Sequence, residues 1–245
     1  MRLDKFICKS TELSKQQALS ALEDRQVLVN GDVIMEPAFQ VHESNQITLN
    51  DQILTPRPFR YMLMHKPAGM ICSNVDEVYP SAFNLLTPEN EIISDISLAK
   101  TSKKLNSEEF HIAGRLDADT TGLVLITDDG RWTYNITLPS NDCKKVYRVG
   151  LSKPFKDELI AQFEQGIQLQ GESHLTLPAF IAFINTKEVL LTITEGKFHQ
   201  VKRMFAAVGN RVVSLHREQI GQITLDVEAK KWRYLTPLEV ASFNT

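Results

Sequence analysis

Cysteine is scarce, and its spacing makes no pattern. The 245 residues hold three, Cys8, Cys72 and Cys143, far apart and without a C-x-x-C pair. This excludes a secretory disulfide framework and leaves reduced thiols of a cytoplasmic protein as the expectation. The six histidines are also scattered without ligand spacing, so no metal is expected. No apolar run approaches membrane-spanning length, so no membrane association is expected. Met1 to Gln17 is amphipathic and charged and lacks the apolar stretch of a signal peptide, so none is expected. A global excess of positive charge is missing too: the net charge is −3. Ordinary composition, 42% hydrophobic and 23% charged, excludes a disordered chain. The length suits one large domain and a small one.

What is present is local. Gly196 to Arg217 carries five Lys or Arg and no acid, and Cys143 to Lys156 does the same. Two such blocks in a net-acidic chain suggest a face for phosphates.

Leu3, Phe6 and Ile7 form a short helical stripe, and Ser14 is placed to cap a second helix carrying Ala18, Leu19, Ala21 and Leu22. Val27 to Val29, Asn30-Gly31 and Asp32 to Ile34 read as a hairpin, because Asn-Gly accepts the positive φ of a type I′ turn. Gln46 to Leu49 adds a last strand. Pro56-Arg57-Pro58 is a stiff polar connector, which sets the expected domains at 1–57 and 58–245. Beyond it, Arg60 to Met64 reads as a strand entering His65-Lys-Pro-Ala-Gly69. Pro67 and Gly69 fit the second and fourth places of a type I turn, which would hold Lys66 near a phosphate. Thr87 to Glu109 is polar and aperiodic and reads as a long surface loop, mostly over 91–109.

The most informative stretch is His111-Ile-Ala-Gly-Arg-Leu-Asp-Ala-Asp-Thr-Thr-Gly122, followed by the apolar run Leu123 to Ile126 and the turn Asp128-Asp-Gly130. It places Asp117 and Asp119 on a short loop ahead of a buried strand, where a rigid scaffold aims a reactive group well. Capping of turns by the Asp and Thr side chains is the plain alternative. An EF-hand reading fails at its ninth position, Leu125, which has no side-chain ligand. An Asp-x-Asp-x-Thr phosphatase reading fails because the apolar strand follows the aspartates instead of preceding them.

Further along, Lys145 to Val149 alternates like a strand with Lys145, Tyr147 and Val149 on one face. Lys156 to Gly166 suits an amphipathic helix with Leu159, Ile160 and Phe163 inward. Val189 to Thr194 is a strand, and Glu195-Gly196-Lys197 is a turn. A helix begins at His199 with Val201, Met204, Phe205 and Val208 on one side and ends at Gly209-Asn210. Val212 to His216 and Ile220 to Leu225 read as closing strands. Short connections and few helices predict an α+β fold, a mixed and largely antiparallel sheet flanked by helices.

Arg2-Leu-Asp-Lys-Phe6, Ser14-Lys15 and Val27-Leu-Val-Asn-Gly31 resemble the S4 RNA-binding domain. Arg2, Lys5, Lys9, Lys15 and Arg25 are its candidate phosphate contacts, although four acids leave residues 1–31 at only +1. Lys66-Pro-Ala-Gly69, His111 to Gly130, Lys145-x-Tyr147 and Glu195-Gly-Lys-Phe-His-Gln-Val-Lys-Arg-Met204 complete the pattern. With the S4-like module, they make nearly the whole chain resemble the pseudouridine synthases, specifically the subfamily acting on small-subunit ribosomal RNA. The stretch 91–109 is longer than the family's usual connection.

The resemblance implies isomerisation of a uridine of 16S rRNA (position 516 in that subfamily) to pseudouridine, without a cofactor. The N1–C1′ bond breaks, the base turns, and C5 joins C1′. It implies Asp117 as the reacting carboxylate, Lys202 in preference to Arg203 as the cation beside it, and Tyr147 as the residue stacking on uracil. Arg115 would enter the space left by the extruded uridine, and His199 and Gln200 would support the RNA site. Asp119 and Thr121 would buttress the loop. The expected partner is RNA in partly assembled small ribosomal subunits, met by a monomer. Relatives of the same layout acting on 23S rRNA are the nearest alternative, and a non-catalytic RNA-binding or ribosome-assembly factor is the other. The joint presence of Asp117, Tyr147 and Lys202 speaks against the last.

Overall fold

Helix α1 (Leu3–Ser10) buries Leu3, Phe6 and Ile7, the stripe its sequence spacing predicts. Helix α2 (Lys15–Glu23) opens on a capping box: Ser14 Oγ accepts from Gln17 N at 3.3 Å, and Gln17 Oε1 accepts from Ser14 N at 2.9 Å. Strands β1 (Val27–Val29) and β2 (Asp32–Val33) turn through Asn30 and Gly31 at φ +53° and +93°, as a type I′ turn requires. Strand β3 (Ile47–Leu49) pairs with β1. It is not the last: a second tight turn through Asn50 and Asp51, both at positive φ, leads into β4 (Gln52–Ile53). The four strands run β2-β1-β3-β4, all antiparallel, and the helices close one core around Leu3, Leu22, Val27 and Ile47.

The computed structural model describes residues 1–93 and 105–243. It divides into two compact units, Met1–Phe59 and Arg60–Thr245.

The second unit is one nine-stranded sheet. Its strands are β5 (Tyr61–Lys66), β6 (His111–Ala113), β7 (Thr121–Thr127), β8 (Lys145–Leu151), β9 (Phe180–Asn185), β10 (Glu188–Ile193), β11 (Val212–Ile220), β12 (Ile223–Thr224) and β13 (Trp232–Tyr234). The main order is β13-β5-β7-β11-β8-β10-β9, with β6 on β7 and β12 on β11. The β7–β11 pairing is parallel and the other strand pairings are antiparallel. The α+β expectation of a mixed, largely antiparallel sheet therefore holds. Strand β7 explains its continuous apolar run: Val124 and Ile126 enter one core, while Leu123 and Leu125 enter a second on the other face. Helices α4 (Ile160–Gln165) and α5 (Gln200–Ala207) bury Phe163, Met204 and Phe205 in the first core. Helix α3 (Gly130–Thr137) puts Trp132 and Ile136 in the second, where Phe243, just past α6 (Pro237–Ala241), meets Trp132 edge-on.

Several expectations change. Asp128-Asp-Gly130 is the start of α3 as well as a turn, since Asp129 Oδ1 accepts from the backbone of Arg131 and Trp132. The first closing strand is longer than expected: β11 runs on through His216 to Gln219 as far as Ile220, where Arg217 finds acceptors inside the protein, and the second is only the short β12, folded back antiparallel on β11. The helix expected from Lys156 starts as a 3₁₀ turn (Asp157–Leu159) and is helical only from Ile160, with Gly166 ending it at φ +95°. The turn centres on Ala68 and Gly69, one place later than the expected Pro67 and Ala68, with Gly69 at φ +78°. Of the expected 87–109 loop, Pro88–Asn90 and Ser107–Glu109 are short 3₁₀ turns, and 94–104 lies outside the described residues.

Gly122 is a point of close approach. It has φ +112° and faces the Arg217 backbone across the parallel pair, so a Cβ would lie 2.6 Å from Arg217 N. Gly122→Ala is expected to lower stability by about 2–3 kcal/mol through strain and collision. Urea unfolding measures it, and a cost under about 0.5 kcal/mol would contradict this packing.

Candidate active site

The loop from Gly114 to Thr120 joins β6 to β7, and it is tied down along its length. Gly114 accepts a hydrogen bond from Arg217 NH2 at 2.5 Å. Leu116 N donates to Cys72 Sγ at 3.3 Å, and the Leu116 side chain is buried. Thr120 N donates to Asp117 O at 3.1 Å, closing a tight turn. Ala118 O accepts from Gly69 N at 2.8 Å and from Lys66 Nζ at 3.3 Å. Thr121 Oγ1 meets His216 Nδ1 at 2.7 Å, so Thr121 does buttress the loop. Such a net fixes where the two carboxylates point.

Helix α5 supplies the counter-charge. Lys202 Nζ lies 2.9 Å from Asp117 Oδ2 and 2.7 Å from Asp119 Oδ1. His199 Nε2 stands 3.4 Å from Asp117 Oδ1. Asp119 is 73% exposed and Asp117 31%, so Asp117 is the carboxylate held in a partly sheltered place. The hydrogen bond from Lys202 holds the Asp119 carboxyl below its ordinary range, against a smaller opposing effect of burial. Burial pulls the Lys202 ammonium down, but its bonds and charge attraction to Asp119 and Asp117 outweigh this and raise it.

Strand register brings Tyr147 into the same region. Gly122 on β7 is level with Arg217 on β11, which is level with Tyr147 on β8. Tyr147 is largely buried, with Lys145 and Val149 on its face as the alternation predicts. Its hydroxyl accepts from Arg217 NH1 at 3.2 Å.

Other candidates are placed differently. Lys66 was expected near a phosphate. It is fully buried, with Nζ donating to the carbonyls of Pro67, Met70 and Ala118, and burial lowers its pKa. It braces the loop instead, because all three ammonium donors are used inside the protein. Arg203 is committed to Glu172, Phe198 O and Gln170 O, which leaves the Asp117 side to Lys202. Gln200 is buried; its amide donates to Glu195 Oε1 and accepts from Lys197 N, so it shapes the turn before α5 and does not face RNA. Arg115 is exposed two residues before Asp117. In the first unit Lys5, Lys15 and Arg25 are exposed, and Arg2 forks onto Asp4. Lys9 is buried with its ammonium over the Phe59 ring, which removes it as a phosphate contact.

Two residues escape sequence reading. Arg217 lies in what reads as a gap between strands, and the signal was an arginine two residues past Leu215 in a strand-forming run. Phe198 stands between the Glu195-Gly196-Lys197 turn and the helix, where the sequence reading gives it no role of its own, and it is 76% exposed. Among the described residues no cluster of His, Cys, Asp and Glu is arranged to hold a metal. No described helix is long and apolar enough to cross a membrane.

Lys202→Met is expected to cost about 1 kcal/mol or less, because the ion pairs are partly exposed. The raised Lys202 value gives stability fully present below the unfolded lysine pKa and lost as pH rises through the folded one. The lowered Asp119 value gives stability present above the unfolded aspartate pKa and lost as pH falls through the folded one. The difference between wild type and variant should thus stay flat from about pH 5 to about pH 9. Urea titrations across that window test this, and a trend within it would contradict the assignment.

The comparisons with known proteins agree with this geometry. Residues 60–207 match the family model for RNA pseudouridylate synthase, and residues 1–47 match the S4 domain. A protein of Vibrio cholerae named ribosomal small subunit pseudouridine synthase A is 46% identical over 244 residues, 99% of each chain. A protein of the same name from Escherichia coli K12 is 42% identical over 245 residues, again 99% of each. A solved structure titled as a crystal structure of pseudouridylate synthase aligns with TM-score 0.67 and 39% identity over 99% of both chains. The chain belongs to the RNA pseudouridylate synthase family.

Proposed function

We propose that this chain isomerises one uridine of small-subunit 16S rRNA to pseudouridine, with Asp117 as the nucleophile. The observation that carries the reading is the Asp117 carboxylate, held on a pinned loop and paired at 2.9 Å with Lys202. The names of relatives at 41–46% identity supply the choice of small-subunit RNA. The reaction moves C1′ from N1 to C5, and the C5 proton is lost as N1 gains one. Atoms and electrons balance without a cofactor. A carboxylate paired with Lys202 can attack the sugar. Tyr147, held through its hydroxyl by Arg217, takes the face of the uracil and, as its own hydroxyl proton passes to water, the C5 proton. Arg115 fills the place vacated by the uridine, which must leave the stack to be reached. Lys5 and Lys15, with Arg2 once it exchanges Asp4 for phosphate, hold the RNA electrostatically. The enzyme acts as a cytoplasmic monomer on partly assembled small subunits, and its domains divide at 1–57 and 58–245.

The test is release of tritium from uracil C5 of small-subunit RNA, naked and in partly assembled particles, with large-subunit RNA alongside. Wild type should release it at one small-subunit uridine, and Asp117→Asn should be slower by about 10³-fold or more. Equal release by the two proteins would remove Asp117 from the chemistry, and release only from large-subunit RNA would reassign the substrate.

A second measurement addresses the N-terminal unit. Lys5→Glu with Lys15→Glu should weaken RNA binding and flatten the salt dependence by about one unit of slope for each lost phosphate contact. An unchanged affinity and slope would remove these lysines from the RNA interface.

A further inference from the structure

Phe198 breaks the pattern of the aromatic side chains. Most other aromatic contacts among the described residues meet at 61–84° between ring planes, and Phe163 with Phe205 is tilted at 45°. Phe198 lies flat on the His199 imidazole, with centroids 3.8 Å apart and 20° between planes. One face of the ring is thus covered, while the residue as a whole is 76% exposed.

The backbone is built to hold it there. His199 is the N-cap of α5 at φ +48° and ψ +33°, a left-handed conformation uncommon for any residue other than glycine. Its ring makes no capping bond and reaches Asp117 Oδ1 instead. The left-handed residue swings Phe198 off the apolar stripe of α5, and Arg203 NH1 grips the Phe198 carbonyl at 3.1 Å. Strained non-glycine backbone concentrates at functional sites, where surrounding contacts hold it.

The neighbouring chemistry favours a base over a phosphate. Lys197 and Arg203, on either side in sequence, both pair with the one Glu172 carboxylate, at 3.0 and 3.2 Å, which offsets part of their charge and engages both side chains. What this spot offers is a π face next to the carboxylate. Extruding a nucleotide leaves the flanking bases with an unstacked face, and an exposed aromatic ring recovers that stacking with little regard for base identity.

We propose that Phe198, backed by His199, is a stacking platform for the nucleobase adjacent to the extruded uridine. It is a specificity and positioning element for RNA, separate from the uracil-facing Tyr147. The proposal rests on the reading of Asp117 as the reacting group in an RNA site.

The experiment uses the full chain and a small-subunit RNA transcript carrying 2-aminopurine on the 5′ or the 3′ side of the target uridine. Wild type should quench one of the two probes on binding. Phe198→Ala should lose that quenching and raise KM for RNA about tenfold, with kcat at saturating RNA within about threefold. Phe198→Trp should restore both. The exposure of Phe198 means the variants should fold, and thermal unfolding confirms it. The proposal is overturned if Phe198→Ala matches wild type in quenching and KM. It is also overturned if Phe198→Leu, apolar but without a π face, behaves like wild type. Asp117→Asn, run in parallel, separates the two ideas. Full activity in that variant sinks the underlying site reading, whereas an inactive Asp117→Asn beside an unaffected Phe198→Ala sinks the platform alone.

Discussion

Arg217 sits inside the sheet, and among the described residues it forms no ion pair with a carboxylate. Its guanidinium donates to Leu123 O at 2.8 Å, to Gly114 O and to the Tyr147 hydroxyl. Three separate segments meet at that one planar group: the start of the Asp117 loop, the buried strand after it, and the strand bearing Tyr147. A buried charge is costly without partners, and neutral acceptors compensate it only when their geometry is held. The loop and the tyrosine are therefore bound to a common reference. Displacing either one exposes the desolvation cost of a guanidinium. Gly122 is needed for the same reason, since only a residue without Cβ lets the Arg217 backbone come alongside.

The loop is braced from the opposite side by a second buried cation. Lys66 caps three carbonyls, among them Ala118 between the two aspartates. One cation under the loop and one beside its start leave the third, Lys202, to meet the carboxylates from a helix. Position and charge are thus set by different residues. The basic block from Gly196 to Arg217 suggests phosphate binding, but within it Arg203 and Lys197 serve the Glu172 segment, Arg217 serves the sheet, and Lys202 serves the aspartates.

Local pattern in the sequence carried the elements that depend on local physics. The capping box at Ser14, the Asn30-Gly31 turn, the alternation around Tyr147 and the buried run Leu123 to Ile126 are all set by neighbours a few residues away, and they appear where expected. The misreadings have one cause. Whether Lys66 or Lys9 meets solvent depends on carbonyls and a ring brought close by folding, which spacing does not encode. Likewise β11 passes through polar His216 to Gln219 because Arg217 finds backbone acceptors at Leu123 and Gly114, 94 and 103 residues earlier in the chain. The Asp117–Lys202 pairing spans 85 positions, and only the motif resemblance linked the two before the structure did. Phe198 was hidden because its exposed pose goes with one left-handed residue, His199, which spacing does not announce.

Strand pairing also sets an order of assembly. The first unit closes its core within residues 1–59, from contacts near in sequence. The second cannot do so, because β5 near its start lies between β7 and β13, and β13 is made of Trp232 to Tyr234 near the end of the chain. On a ribosome the S4 domain can complete itself while the catalytic sheet still lacks a border strand, in line with domains folding as units from the N-terminus. Closure over such a sequence distance is entropically slow. A nascent chain of this protein therefore acquires its S4 fold well before it has a finished active site.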